Sequence, residues 1–386
     1  MLMLDENANK ELNYRMRKRT SLREMAGKHI PEFSAFGRLW VFFALGWNVL
    51  ICGMTRDEYF QYGYYKWCNS ERLKLLKKTY MPVHASILNR MWIPFDIAWC
   101  AIVYGASISE YFEFHFYKRK HISRKNFITR RGSVQMLRRF NDKNGKSILD
   151  HKEDFNERFA DYLCRDWLDL DKADKKSWDA FVAKHEIFLV KDKTGNCGRG
   201  VYLQSVKDAD SNAIYDELKI SGVIIEELVQ QINELAEFHP KSVNTVRVVS
   251  LMIDGEPKIM TSLFRMGNKG SCIDNFSSGG IAAMVDVESG IVVTAGLDHN
   301  NNKCYVHPVS KKQIIGCQIP LWEEIIDTVK GATKIISGAR HIGWDIVVTN
   351  DSKICILEGN AFPDFVMGQM VDQIGKKDLY KEAIKS

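Results

Sequence analysis

The chain has 386 residues, 45% hydrophobic and 26% charged, the composition of an ordinary soluble globular protein with room for two or three cores. Its nine cysteines show no CxxC or CxH spacing, and the odd count argues against a disulfide framework or a metal finger and for reduced thiols in a cytosol. The formal charge of +6 is uneven: Lys118 to Arg131 holds seven Lys or Arg and no acid, and Arg15 to Arg19 is a second basic cluster. Such runs are solvated faces or attract an anionic partner, such as lipid headgroups or an acidic sugar intermediate. Nucleic acid is not expected, because no recognised nucleic-acid module accompanies the charge.

In chain order, residues 1–37 form a polar, basic leader, either flexible or a first helix. The apolar run Leu39 to Cys52 spans 14 residues and contains Asn48, too short for a membrane span and too far from the N-terminus for a signal peptide. A repeat with a period of 52 residues explains it better. Arg38, Trp40, Phe43, Trp47, Gly53, Glu58, Tyr59 and Phe60 recur as Arg90, Trp92, Phe95, Trp99, Gly105, Glu110, Tyr111 and Phe112. Each copy carries a capping-box pair, Thr55 with Glu58 and Ser107 with Glu110, so the repeat is helical. Asp96 in the second copy would be costly in lipid, and the shared Trp and Phe positions are expected to be core contacts. Residues 38–141 are therefore predicted as a tandem helical unit, 38–89 and 90–141, with peripheral membrane contact as the alternative role of its aromatics.

A helix is predicted over Asp150 to Leu163, with apolar residues at Phe155, Phe159, Tyr162 and Leu163 and with Lys152 just ahead of that pattern. Arg165 after it suits either a structural ion pair or a phosphate or substrate contact. Ser177 to Glu186 is a short helix. Ile187 to Leu203 reads as a strand ending in Lys191, a glycine-rich loop from Gly195 to Gly200, and a second strand. Glycines let backbone N–H groups approach phosphate oxygens, and a lysine leaving the strand can bridge them. The spacing is neither a Walker loop nor a dinucleotide fingerprint. A helix between Lys207 and Lys219 precedes the strand Val223 to Glu227; then come strands Ser242 to Ile253 with Arg247, and Lys258 to Met266 with Arg265. The closing hairpin pairs Asp345 to Thr349 with Ile354 to Leu357 about an Asn350-Asp351-Ser352 turn. Side chains alternate across a strand, so Glu358 and Asn360 share a face, and a register placing Asp345 opposite gathers three hard oxygen donors of the kind Mg²⁺ takes.

The lysine with its glycine loop, the strand Val223 to Val229, the Asn244 to Arg247 strand entry and the Asp345, Glu358, Asn360 ending resemble the ATP-grasp superfamily, within it most of all the sugar-transfer-associated group. The second half is also similar to ligases that add glutamate to carboxylates. The resemblance implies an α+β ATP-grasp fold of two lobes, 142–222 and 223–386, clasping ATP behind the helical repeat. It implies that Lys152 and Lys191 face phosphates, together with the loop residues Gly198, Arg199 and Gly200. Adenine would lie along Glu226, Glu227, Leu228 and Val229, with Gln231 or Glu234 holding the ribose. Asp345, Glu358 and Asn360 would hold Mg²⁺, two ions, with Mn²⁺ as a substitute. Arg247, Arg265 and Asn275 would face the transferred phosphoryl group and the carboxylate, which arginine grips in a bidentate manner better than lysine. Where the glutamate ligases have an arginine before their Gly-Gly pair, this chain has Ser278. Three functions fit this resemblance: a carboxylate–amine ligase in surface-polysaccharide synthesis, acting on a small-molecule, lipid-linked or nucleotide-linked sugar; a kinase for a hydroxyl; or a nucleotide-binding scaffold for glycosyltransferases.

Overall fold

The computed structural model describes residues 87–194, 200–268, 276, 279–298 and 301–381. The leader, the first repeat copy up to residue 86, Gly198, Arg199, Asn275 and Ser278 lie outside the described residues. Contacts divide the chain at Arg119/Lys120 into two compact units.

The first unit contributes α1 (Ile87–Tyr104) and α2 (Ile108–Glu113). The capping box at Ser107 forms as its residues require: Glu110 N donates to Ser107 Oγ at 3.0 Å, and Ser107 N to Glu110 Oε2 at 2.7 Å. Tyr111 and Phe112 are each 1% exposed, and the Tyr111 hydroxyl donates to Asp96 Oδ2 at 2.8 Å. The other repeated aromatics behave differently. Trp92, Phe95 and Trp99 are 66%, 39% and 56% exposed, which corrects the expectation of core contacts at these positions. Their spacing of three and four residues does define one helical face, but periodicity does not say which face turns inward. Among the side chains of α1 that are described, Ile97, Ala98, Cys100 and Ala101 are buried.

The second unit opens with α3 (His121–Lys125), α4 (Arg130–Phe140), α5 (Lys143–Asp150) and α6 (Lys152–Arg158). A small lobe follows: β1 (Trp167–Asp169), α7 (Lys175–Lys184), β2 (Ile187–Asp192), β3 (Val201–Ser205), α8 (Ser211–Ser221) and β4 (Val223–Glu227). Its antiparallel sheet has the order β1-β4-β2-β3. Trp178 and Phe181 of α7 and Tyr215 and Leu218 of α8 pack with Phe188, Val190, Val223 and Ile225, so the helices cover one face. Asp174 and Asp210 cap α7 and α8 by accepting backbone N–H groups, and Gly222 ends α8 in the left-handed conformation at φ 63°.

The large lobe contains α9 (Asn233–Ala236), β5 (Val246–Ile253), β6 (Glu256–Met266), β7 (Ile281–Val285), β8 (Gly296–Asp298), β9 (Lys303–Cys304), α10 (Trp322–Thr333), β10 (His341–Val348), β11 (Ile354–Asn360) and α11 (Phe365–Asp372). Its antiparallel sheet runs β11-β10-β5-β6-β7-β8-β9. Alternation divides the strands between two layers. Val246, Val248, Phe264, Trp344, Ile346 and Val348 pack with α10 and with Leu149, Phe155 and Phe159 of α5, α6 and the turn after it. Val249, Leu251, Ile253 and Met260 pack on the other side with Met136, Phe140, Phe365 and Tyr380. Residues 120–141, counted with the repeat from sequence, thus contribute α4 to the large lobe. On that second face Arg247, Arg265 and Asp345 replace the apolar pattern, and the replacement marks the site.

Asn141, 8% exposed, fastens the start of β10 to the chain leaving β11. Its Nδ2 donates to His341 O at 2.8 Å and Ala361 O at 2.7 Å, while its Oδ1 accepts from His341 N at 2.9 Å. Asn141→Ala would strand these buried groups, and we expect a loss of about 3 kcal/mol. A urea titration showing an unchanged midpoint would refute this.

Candidate active site

The floor of the site is the β10–β11 hairpin. Asp345 lies directly opposite Arg247 on β5 and opposite Glu358 on β11. Arg247 grips Asp345 with both Nε and Nη2, the latter at 2.8 Å from Oδ2, and Arg265 Nη1 donates to Oδ1 at 2.9 Å. Burial opposes the Asp345 charge, but the two guanidinium groups override it and hold its carboxyl well below the usual carboxylate range. Glu358 reaches solvent on one side. Protein packed around its carboxyl, and then the Asp345 carboxylate hydrogen-bonded to it, push its pKa above the ordinary glutamate value. With the Asn360 amide the two carboxyl groups form a hard oxygen donor set of the kind that fits Mg²⁺. Asn360 spends its nitrogen on Glu358 Oε1 and Gly343 O, both at 3.3 Å, which leaves its oxygen as the donor for a cation.

The wall is the face of the small sheet opposite its helices. Glu226, 2% exposed, accepts from Lys191 Nζ at 2.5 Å, Arg165 Nε at 2.8 Å and Asn156 Nδ2 at 3.2 Å. Burial again opposes ionisation, and Arg165 and Lys191 override it, keeping Glu226 charged. Lys152 begins α6, ahead of Phe155 as its place in the sequence suggests, and its Nζ donates to Asp192 O at 2.9 Å. Burial lowers its pKa, the charge of Glu358 pulls it back up and that of Lys191 pushes it down, so both lysines act on one electrostatic neighbourhood with Glu358. Gly200, at φ 68°, accepts from Asp192 N at 3.0 Å, and a Cβ there would meet Asp192 Oδ2 at 1.9 Å. A pocket adjoins Arg247 and Arg265, lined by Val249, Leu263, Phe365, Met367, Lys376 and Tyr380.

The segment leaving β4 separates the remaining predicted residues. Leu228 and Val229 leave β4 half-buried. Glu227 turns to the opposite face from Glu226, where its Oε2 accepts from Asp166 N at 2.9 Å, close to His185 and away from Lys191. Gln231 is committed to Asn244, accepting from its backbone N at 3.0 Å and its Nδ2 at 3.2 Å and donating to its carbonyl. Glu234 is exposed on α9. Sequence reasoning left Arg165 undecided and did not single out Asn156. The available signal for Asn156 was its position four residues after Lys152, on the same helical face.

Glu226→Gln would leave the Arg165 guanidinium, 1% exposed, without its counter-charge, at an expected cost of about 3 kcal/mol at pH 7. Because the folded pKa of Glu226 lies below its unfolded value of about 4.3, its stabilisation is present above that pH and is lost as pH falls through the folded value. The stability gap between wild type and Glu226→Gln should therefore narrow on acidification. A gap constant from pH 7 to pH 3 in urea titrations would contradict it.

No curated protein sequence matches the chain. Solved structures with some likeness include the ATP-grasp ligase PsnB complexed with minimal precursor, at 16% identity and a TM-score of 0.41, covering 67% of this chain and 70% of that one. The D-alanyl-alanine synthetase A of Vibrio cholerae O1 biovar eltor shows 12% identity and a TM-score of 0.38, covering 61% and 62%. An N5-carboxyaminoimidazole synthase from Aspergillus clavatus shows 10% identity and a TM-score of 0.35, covering 57% and 46%. The chain therefore spans less than two thirds of the latter two. A family model matches residues 133–384, which include both sheets and the residues of floor and wall, and by that match the chain belongs to the sugar-transfer associated ATP-grasp family.

Proposed function

We propose that this protein is an ATP-dependent carboxylate–amine ligase acting on a sugar acid, or on an amino-acid substituent of a sugar, in surface-polysaccharide synthesis. The observation that carries the reading is the convergence of two lysines, the Asp345–Glu358–Asn360 donor set and two arginines on one cleft between the lobes. Membership of a sugar-transfer associated family supports the substrate class. A carboxylate is a poor electrophile, so its oxygen first attacks the γ-phosphorus of ATP, forming an acyl phosphate and releasing ADP. An amine then attacks the acyl carbon, phosphate leaves with the bonding electron pair, and the amine loses a proton. Lys152 and Lys191 position the phosphates, and Arg247 and Arg265 neutralise charge developing on the transferred group. Asp345, Glu358 and Asn360 would hold Mg²⁺, which when bound supplies charge neutralisation at the phosphate oxygens. No enzyme nucleophile is required.

Mg²⁺ with a non-hydrolysable ATP analogue should raise the melting temperature, since a ligand that binds only the folded state stabilises it. No shift at millimolar ligand would count against the nucleotide site. Glu358→Gln should fold and lose most turnover, because a neutral amide holds the metal poorly. Activity close to wild type across a Mg²⁺ titration would remove Glu358 from the site. Product analysis tests the reaction class: amide with ADP and phosphate supports ligation, whereas a phosphoester with ADP, or no turnover, overturns it.

Among the described residues no helix is long and apolar enough to cross a membrane. The exposed Trp92 and Trp99 instead support peripheral contact with an anionic lipid surface, where tryptophan sits at headgroup level. Replacing both with serine should weaken cosedimentation with phosphatidylserine vesicles, and unchanged cosedimentation would exclude this face.

A further inference from the structure

The strands that carry Asp345 and Glu358 are not in simple register. Ile346 pairs with Ile356 but Asp345 pairs with Glu358, so Leu357 is an extra residue in β11, a β-bulge. Without it Asp345 would face Leu357, and Glu358 would face Trp344, whose side chain belongs to the apolar layer with Leu149 and Phe155. With it, Glu358 moves to the Asp345 face and Gly359 takes the place opposite Trp344. A Cβ on Gly359 would lie 2.8 Å from Leu149 and 3.0 Å from Phe155, so the layer accepts glycine there and would not accept a glutamate. The donor pair thus depends on one inserted residue.

The bulge is held from outside its own sheet. Arg165, between α6 and β1, donates from Nη1 to Ile356 O at 2.8 Å and from Nη2 to Leu357 O at 3.1 Å. The same guanidinium grips Glu226 through Nε at 2.8 Å and Nη2 at 3.3 Å, and Glu226 in turn holds Lys191. Its planar fork reaches carboxylate and carbonyls together, which a lysine ammonium cannot reproduce. At 1% exposure the Arg165 side chain is sealed from the cleft and acts through other groups.

Resting on the ligase reading above, we propose that Arg165 is a positioning residue that pins the Leu357 bulge, keeping Glu358 opposite Asp345 and in fixed relation to Lys191. Loss of its carbonyl contacts should release the metal-holding pair while the Glu226 ion pair keeps the lysine wall in place. Residues that orient metal ligands in this way are worth about 10–100-fold in metal affinity.

The test measures the binding of a non-hydrolysable ATP analogue by calorimetry, with and without MgCl₂, in wild type, Arg165→Lys and Glu226→Gln. Arg165→Lys keeps the charge beside Glu226 and should bind the metal-free analogue within about threefold of wild type, yet lose at least about tenfold of the Mg²⁺ enhancement. Glu226→Gln should show the reverse, weaker metal-free binding with the Mg²⁺ enhancement retained. Full enhancement in Arg165→Lys with only a lowered melting temperature would make Arg165 purely structural and overturn the proposal. Should Arg165→Lys not fold, Arg165→Met combined with Glu226→Gln, which removes donor and counter-charge together, is compared with Glu226→Gln alone: loss of the Mg²⁺ enhancement only in the double variant supports the proposal, and equal enhancement in both, or loss of folding in both Arg165 variants, decides for the structural role. A wild type that binds the analogue without any Mg²⁺ enhancement would refute the metal site itself, a result distinct from failure of the Arg165 proposal.

Discussion

The geometry of both lobes turns on one buried carboxylate. Glu226 lies in β4 of the small sheet, yet the guanidinium that neutralises it also bonds to backbone carbonyls of β11 in the large sheet. Burying an ion pair costs more in lost hydration than the attraction returns unless every lone pair and proton is satisfied. Here the Glu226 oxygens take Arg165, Lys191 and Asn156, and Arg165 finds carbonyl acceptors in Leu163, Ile356 and Leu357. A hydrophobic substitute of equal volume could match the stability. It could not specify where Lys191 stands relative to Glu358, and specification is what a phosphate cleft requires.

What the sequence made legible was local. The strand Val223–Glu227 has the bounds its β-branched run predicts, and the Ser107–Glu110 box forms because both partners lie within one turn. Where local signals were misjudged, a neighbouring polar group explains the error. The helix predicted from Ser177 begins at Lys175, because Asp174 is its cap. The strand predicted from Ser242 begins at Val246, because the Asn244 side chain is occupied with Leu235 O and Gly267 N and holds the preceding stretch in a turn. Trp92, Phe95 and Trp99 were read as core because a helical stripe of aromatics usually is one. The small residues that in fact fill the inner face of α1 give a weaker periodic signal.

The site was half legible for a different reason. Asp345, Glu358 and Asn360 announce themselves through alternation and residue type, but the bulge that makes Asp345 and Glu358 neighbours has no signature in β11. It becomes visible only when Trp344 is known to need an inward partner as small as Gly359. Arg165 was still further out of reach, since its partners lie 61 and 191 residues along the chain. Gln231 illustrates the converse: residue type suited it to a ribose, and tertiary contacts with Asn244 commit it elsewhere.

Charge then sets what the cleft will accept. Among the described residues the acids Glu226, Asp345, Glu358 and Asp192 meet five cations, Lys152, Lys191, Arg247 and Arg265 in the cleft and Arg165 sealed behind it. The surplus is unevenly held. Arg165 is spent on Glu226 and backbone, Arg247 and Arg265 pair with Asp345, and Lys152 donates to the Asp192 carbonyl. Burial already lowers the Lys152 pKa, and the Lys191 charge lowers it further despite Glu358. An anion arriving beside Lys152 would offset that penalty, and a cation between Asp345 and Glu358 would offset the Asp345 charge that, after burial, raises Glu358. On the proposed reading, polyphosphate and divalent metal would each offset charge that the cleft holds at a cost, and opposite charges bound side by side would favour one another.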